Sequence, residues 1–185
     1  MSAPDVEIYN LALLQIGVPT ISSFSDESAA AQVGRRVYPA FRDGYLAGFY
    51  WYFAKDQANL NELLAEPVAE YEFSLKLPSD FLNLRRVLTP GVDYRLFGKN
   101  RLFAASRDID IEYTKRAKEE DFPSEFTSAL AWGVSASVAL SLTEKPDVQA
   151  NAAGMFAEMN RKARTMSLQQ DPLDGFDTSG LIAVR

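Results

Sequence analysis

Tyr71-Glu72-Phe73-Ser74-Leu75-Lys76-Leu77, closed by Pro78-Ser79-Asp80, is the stretch that decides the fold. Apolar and polar residues alternate through it, the period of a half-buried strand. The proline-acid turn then breaks it. Leu82 to Leu88 is a second candidate strand. Tyr94 to Phe97 and Arg101 to Ala104 flank Gly98-Lys99-Asn100, which reads as a hairpin turn. Ile109, Ile111 and Tyr113 alternate with Asp110, Glu112 and Thr114, giving one more strand. Residues 71–114 therefore predict a small antiparallel sheet.

On either side the period becomes helical. A first helix is expected from Pro4 to Ile16, with Asp5 and Glu7 at its positive end and Gly17 and Pro19 to stop it. A second, capped by Ser25 or Asp26, carries Val33, Val37, Phe41 and Tyr45 every fourth residue, with Phe49 and Phe53 extending the row. Pro39 inside it predicts a kink or a split. Gly44 and Gly48, one turn apart, predict close approach of another backbone, and Arg35, Arg36 and Arg42 fall off the apolar row, on an expected solvated or subunit-facing surface. After the sheet, Phe126 to Leu142 is rich in small side chains and reads as the central helix. Pro146 opens a fourth, with Val148, Ala152, Met155, Phe156, Met159 and Ala163 on its apolar face. From Ser167 the pattern dissolves into breakers, ending in Leu181-Ile182-Ala183-Val184.

The fold class expected is α+β, mainly α: a bundle of about four helices over residues 1–70 and 115–166, a β-sheet insertion over 71–114, and an extended C-terminal tail over 167–185. Leu181, Ile182 and Val184 are too few to make a core of their own. They either fold back or dock on another chain.

The 185 residues suit one domain. The longest unbroken apolar run is Phe49 to Ala54, far below the about 20 residues of a membrane-spanning helix, so no membrane partner is expected. The first residues lack a basic start and a long apolar stretch, so no signal peptide is expected. The chain has no cysteine and no histidine. Thiol nucleophiles, thiolate metal sites and histidine-based triads are thereby excluded. Carboxylate chemistry survives that filter. No phosphate loop is present, since Gly98-Lys99 is preceded by Asp93 where the partner glycine would stand. No cofactor is expected.

Asp108, Asp110 and Glu112 share one face of their strand, and are expected to face solvent. The aromatic run Phe49-Tyr50-Trp51-Tyr52-Phe53 suits core packing and helix-end anchoring better than base stacking. Lys115, Arg116 and Lys118 are followed at once by Glu119-Glu120-Asp121, a pattern of a solvated loop. The net charge of −6 argues against tight binding of DNA phosphates.

Four blocks in order resemble the phage head-to-tail adaptors, the tail tubular protein A and short-tailed-phage tail accessory factor type. They are Ile8-Tyr9-Asn10-Leu11-Ala12-Leu13 with Ile16-Gly17, Ile21, Ser22 and Asp26; Ala31, Tyr38, Arg42-Asp43 and Leu46 with Trp51, Phe53 and Ala54; Leu77-Pro78-Ser79-Asp80-Phe81-Leu82; and Phe122-Pro123 with Phe126 and Ala129-Leu130-Ala131. The resemblance covers residues 5–166. The chain departs from the family pattern at Val33, where cysteine is common, and at Tyr50, where proline often precedes the tryptophan.

The resemblance implies a structural protein of the virion and no enzyme. Copies would form a homo-oligomeric ring, twelvefold to match the portal, made in the host cytoplasm and placed at the head–tail junction. The helical part would join ring and portal protein, the sheet insertion would face the tail or nozzle protein, and the C-terminal segment would reach toward the portal. DNA would pass through the channel without tight binding. Another virion completion protein, and a small carboxylate-dependent hydrolase, are the competing readings.

Overall fold

A computed structural model describes residues 3–64, 70–98 and 100–170. It contains four helices and two small antiparallel sheets.

Helix α1 (Pro4–Gln15) starts on Pro4, with Asp5 and Glu7 in its first turn. It ends at Gly17, whose φ of +71° lets the chain reverse. There Gly17 N–H donates to Leu14 O, and Val18 N–H to Leu13 O, a paired C-terminal closure of the helix. The returning chain is clamped to α1 by Asn10, which donates to Ile21 O and accepts from Ile21 N, both at 2.9 Å.

Helix α2 (Ala29–Ala47) is capped by the Ser28 hydroxyl, which accepts from Ala31 N. Asp26, one of the two caps expected, instead accepts from Ser22 N and Ser23 N and shapes the loop before the helix. Pro39 neither splits nor ends α2. Pro39 and Arg35 are both exposed, so the carbonyl freed one turn earlier opens toward water. Close approach does occur at glycines, but not at Gly44, where an added Cβ would meet nothing. At Gly34 an added Cβ would strike the Tyr9 ring at 2.5 Å, and at Gly133 the Phe41 ring. Tyr9 donates from there to Ala30 O at 2.8 Å.

Helix α3 (Ser124–Thr143) and α4 (Pro146–Gln170) form a hairpin through Glu144, whose φ is +56°. Helices α1, α2 and α4 all pack on α3. By length and hydropathy α3 would also suit a bilayer. Its Phe126, Ala129, Leu130, Ala131, Val134, Val138 and Ala139 are instead buried in the helical core. Helix α4 outlasts the expected end. Ser167 is buried, and its hydroxyl accepts from Tyr52 N at 3.1 Å.

The apolar row of α2 stops at Ala47. A short 3-10 turn (Tyr52–Ala54) leads into β1 (Lys55–Leu60), a strand inside the stretch expected to be helical. The other strands are β2 (Phe73–Lys76), β3 (Phe81–Val87), β4 (Tyr94–Phe97), β5 (Arg101–Ala104) and β6 (Ile109–Lys115). They form two sheets in place of the single one expected, ordered β1-β6-β3 and β2-β5-β4. Leu60, Ile109, Ile111 and Tyr113 of the first meet Leu75, Leu102 and Ala104 of the second in one core, separate from that of the helices.

Candidate interaction surface

Two groups of charged residues stood out in the sequence, and the structure gives each a different setting. Asp108 and Asp110 are exposed and share one donor, the Asn59 amide, at 2.5 and 2.9 Å. Glu112, expected beside them in solvent, is buried to 7% exposure. Its strand β6 is the middle of three, so long side chains from both neighbours cover it. Gln57 from β1 and Arg86 from β3 reach its Oε2 at 3.4 and 3.3 Å. Among the described residues, no group of three acidic side chains is placed to hold a metal ion.

The second group joins helices to sheet. Arg42 on α2 donates to Glu119 Oε1 at 2.6 Å and to Asp43 at 2.9 Å, and Arg116 binds the other oxygen of Asp43 at 2.9 Å. Arg42 and Glu119 are each only 16% exposed in their side chains. Arg42 was expected on a solvated or subunit-facing surface, and Arg116 and Glu119 in a solvated loop. Arg42 and Glu119 form instead the lock where the chain leaves β6, and Arg116 braces it from the solvated side, exposed as expected. Nearby, Arg85 donates to Trp51 O at 2.6 Å and to Thr114 Oγ1. Lys115 reaches Asp56 at 3.1 Å. The backbone amide of Gln57, together with Lys115, holds the Asp56 carboxyl below its ordinary value. Asp80 closes the proline-acid turn by accepting from the Tyr113 hydroxyl at 3.1 Å and, through its carbonyl, from Arg116 N at 2.7 Å.

The aromatic run is core, as expected, at one decisive point. Trp51 is 1% exposed, donates to Tyr45 O at 3.0 Å, and packs with Tyr45, Phe49 and Phe126. Phe53 and Phe122 complete the cluster around Phe126. Tyr50 is exposed, with the Arg85 guanidinium 5.2 Å from its ring centre.

One surface was not foreseen. All four residues of β4 are exposed, and β4 is the outer strand of its sheet. Cross-strand partners lie on one face, so Phe73, Ala104 and Tyr94 are aligned, as are Leu75, Leu102 and Leu96. That face is apolar throughout. It is sealed at Leu75, Leu102 and Ala104, yet 39% open at both Tyr94 and Leu96. On the opposite face Phe97, 57% exposed, stacks on Phe103 at 5.0 Å. The other edge of the sheet is guarded. There Leu64 N donates to Ser74 O and Lys76 N to Glu62 O, and Leu63 bridges Leu75. Among the described residues no strand pairs with the outer edge of β4, which presents Tyr94 and Leu96 on one face and Arg95 and Phe97 on the other. A possible signal in the sequence was Leu96-Phe97, two large apolar residues in succession beside a turn.

Leu181, Ile182 and Val184, expected to bind portal or neighbour, lie outside the described residues. No protein-family model matches the chain, and no curated protein matches it.

Proposed function

We propose that this chain is a structural head-to-tail adaptor of a tailed bacteriophage, a non-catalytic subunit of a ring that joins portal to tail and extends the DNA channel. The observation that carries an assembly role is β4. Folded proteins guard their outer strands with charge, proline, bulges or a covering segment. This one covers β2 with its own chain, whereas β4 carries a single charge, Arg95, beside Tyr94, Leu96 and Phe97, all open to water. An exposed apolar row on an outer strand marks a place for a partner to dock. The four blocks of the resemblance supply the kind of assembly. Their residues act as framework: Asn10 on Ile21, Arg42 on Glu119, Trp51 against Phe126, and Asp80 with Tyr113. That is the use expected of a scaffold. In this reading β4 and its hairpin contact a ring neighbour or the tail protein, the C-terminal segment reaches the portal, and the acidic chain lets DNA pass without holding it.

The test mixes purified protein with tailless phage heads and examines them by electron microscopy. Rings seated under the portal are expected, and Leu96→Lys with Phe97→Glu should leave a folded protein that no longer completes the junction. Heads that stay bare with the parent protein would sink the proposal. So would reproducible hydrolysis of peptidoglycan or nucleic acid that Asp110→Asn abolishes.

A further inference from the structure

The hydrogen bonds of the β2-β5-β4 sheet fix which backbone atoms its open edge offers. Ala105 N donates to Asp93 O, so Asp93 turns its backbone groups inward, toward β5. Residues along an antiparallel ladder alternate between inward and outward bonding. Arg95 and Phe97 therefore bond inward as well. Tyr94 and Leu96 turn their N–H and C=O groups outward, where no strand pairs with them among the described residues. Val92, packed against the core of the sheets, shares their parity. The far edge obeys the same alternation: Leu77 N bonds inward to Asn100 O, while Ser74 and Lys76 bond outward to Leu64 and Glu62.

The outward residues lie in a stretch that is complementary to itself. Val92-Asp93-Tyr94-Arg95-Leu96 has an apolar residue at each end, an acid and a base on either side of the middle, and a tyrosine at the centre. Two copies set antiparallel about a two-fold axis at Tyr94 would join outward groups to outward groups. Tyr94 would then face Tyr94, Val92 would face Leu96, and Asp93 would face Arg95 twice. Opposite charges across a strand pair stabilise it, and like charges destabilise it. An axis at Arg95 satisfies the same parity but sets Arg95 against Arg95. An axis at Leu96 sets Tyr94 against Gly98, which has already turned away at a φ of +68°. Arg95 is open to a new partner, since Glu70 lies 3.7 Å from it and both side chains are largely exposed.

We propose that the chain pairs in solution with a second copy of itself, β4 against β4, antiparallel and centred on Tyr94. Two three-stranded sheets become one, ordered β2-β5-β4-β4-β5-β2. Its apolar face runs unbroken through Phe73, Ala104 and Tyr94 of both copies. Growth stops at two, because the pairing is isologous and the chain's own Glu62 to Leu64 cover β2 at each far end. The pairing does not rest on the adaptor reading. Within that reading it covers the edge until a mating protein displaces it.

Sedimentation of the full chain over a range of concentrations tests this, and a reversible dimer is expected. Arg95→Asp and Asp93→Arg should each weaken it about tenfold or more, because two cross-strand pairs turn from opposite to like charge at once. Asp93→Arg combined with Arg95→Asp restores both pairs and should dimerise like the parent. An axis at Arg95 gives no such rescue, since position 95 would still face itself. Both side chains are exposed, so the far-UV circular dichroism of all three variants should match the parent's. A parent that stays monomeric up to its solubility limit would overturn the proposal. So would a dimer indifferent to the single reversals, or a double variant as weak as the singles. A ring of more than two copies would overturn it too, while leaving the adaptor reading intact.

Discussion

Phe126→Ala probes the aromatic centre of the helical core. Phe126 is 1% exposed and meets Tyr45, Trp51, Phe53 and Phe122 with ring centres 4.7–4.9 Å apart. Truncating a buried phenylalanine costs about 3–5 kcal/mol, more where the site cannot collapse. Four rings held from α2 and from the segments on either side of the sheets leave little freedom to collapse, and the hole would merge with the cavity that Phe126 already lines. The upper half of the range is therefore expected, about 4–5 kcal/mol. That is a large share of the roughly 5–15 kcal/mol that holds a domain together. At this chain length each 1 kcal/mol moves the midpoint by about 2–4 °C, so a fall of about 8–20 °C is expected. Thermal unfolding followed by far-UV circular dichroism reads it, with Phe97→Ala as the matched control. Phe97 is 57% exposed, and its loss should stay within about 0.5 kcal/mol. If Phe126→Ala melted with the control, the aromatic cluster would not be the keystone described above.

Three further outcomes follow from the same contacts. Arg42→Ala leaves Glu119 largely buried without its partner and should cost about 3 kcal/mol, whereas Arg42→Met with Glu119→Gln should cost clearly less, because breaking half of a buried pair is worse than replacing both; urea unfolding of the two variants ranks them. Burial pushes the Tyr9 hydroxyl up to about 12, raises that of Tyr45, and with the charge of Glu119 raises that of Tyr38. Unfolded tyrosine loses its proton near pH 10. Stability should thus be full below pH 10 and fall above it by about 1.4 kcal/mol per pH unit for each of the three, with tyrosinate absorbance rising in the same step as helix loss; a gradual rise before unfolding would contradict this. Deleting Gly180 to Arg185 should leave the melting midpoint unchanged and abolish attachment to heads, and a truncated protein that unfolds would assign the tail to its own core.

Elements set by short-range chemistry were legible in the sequence. The β4–β5 hairpin was readable because Gly98 turns at a φ of +68°, which the residue type itself announces. Helix α1 was readable to within one residue for the same reason at Gly17. Strand β1 was not. Lys55-Asp56-Gln57-Ala58-Asn59-Leu60 has no alternation, and it is a strand because β6, some fifty residues later, supplies a partner at every position. The split into two sheets was hidden likewise, since alternation shows a strand but not its neighbours. Glu112 looked like its neighbours Asp108 and Asp110 until the long side chains of β1 and β3 closed over it. The exposed row on β4 was illegible for a related reason. The sequence marks Tyr94 to Phe97 as a hairpin strand, and only the strand order shows that it is the outer one.

The register of β1 against β6 has a consequence for how the molecule could be remodelled. Lys55 pairs with Thr114 at the base, and pairing runs without a break to Leu60 and Ile109. The chain thus leaves the helical body and returns to it through adjacent positions on one two-stranded stem. Both hairpin strands and the β4 edge hang beyond that stem, while β3 ties back to the helical body, Asn83 donating to Ala47 O and Arg85 to Trp51 O. Sequence beyond β3 and β6, residues 88–108, can be exchanged for another stretch whose ends meet at the same spacing without touching those ties to the helical body. Grafting the span onto a related helical body tests whether specificity for the mating protein travels with it.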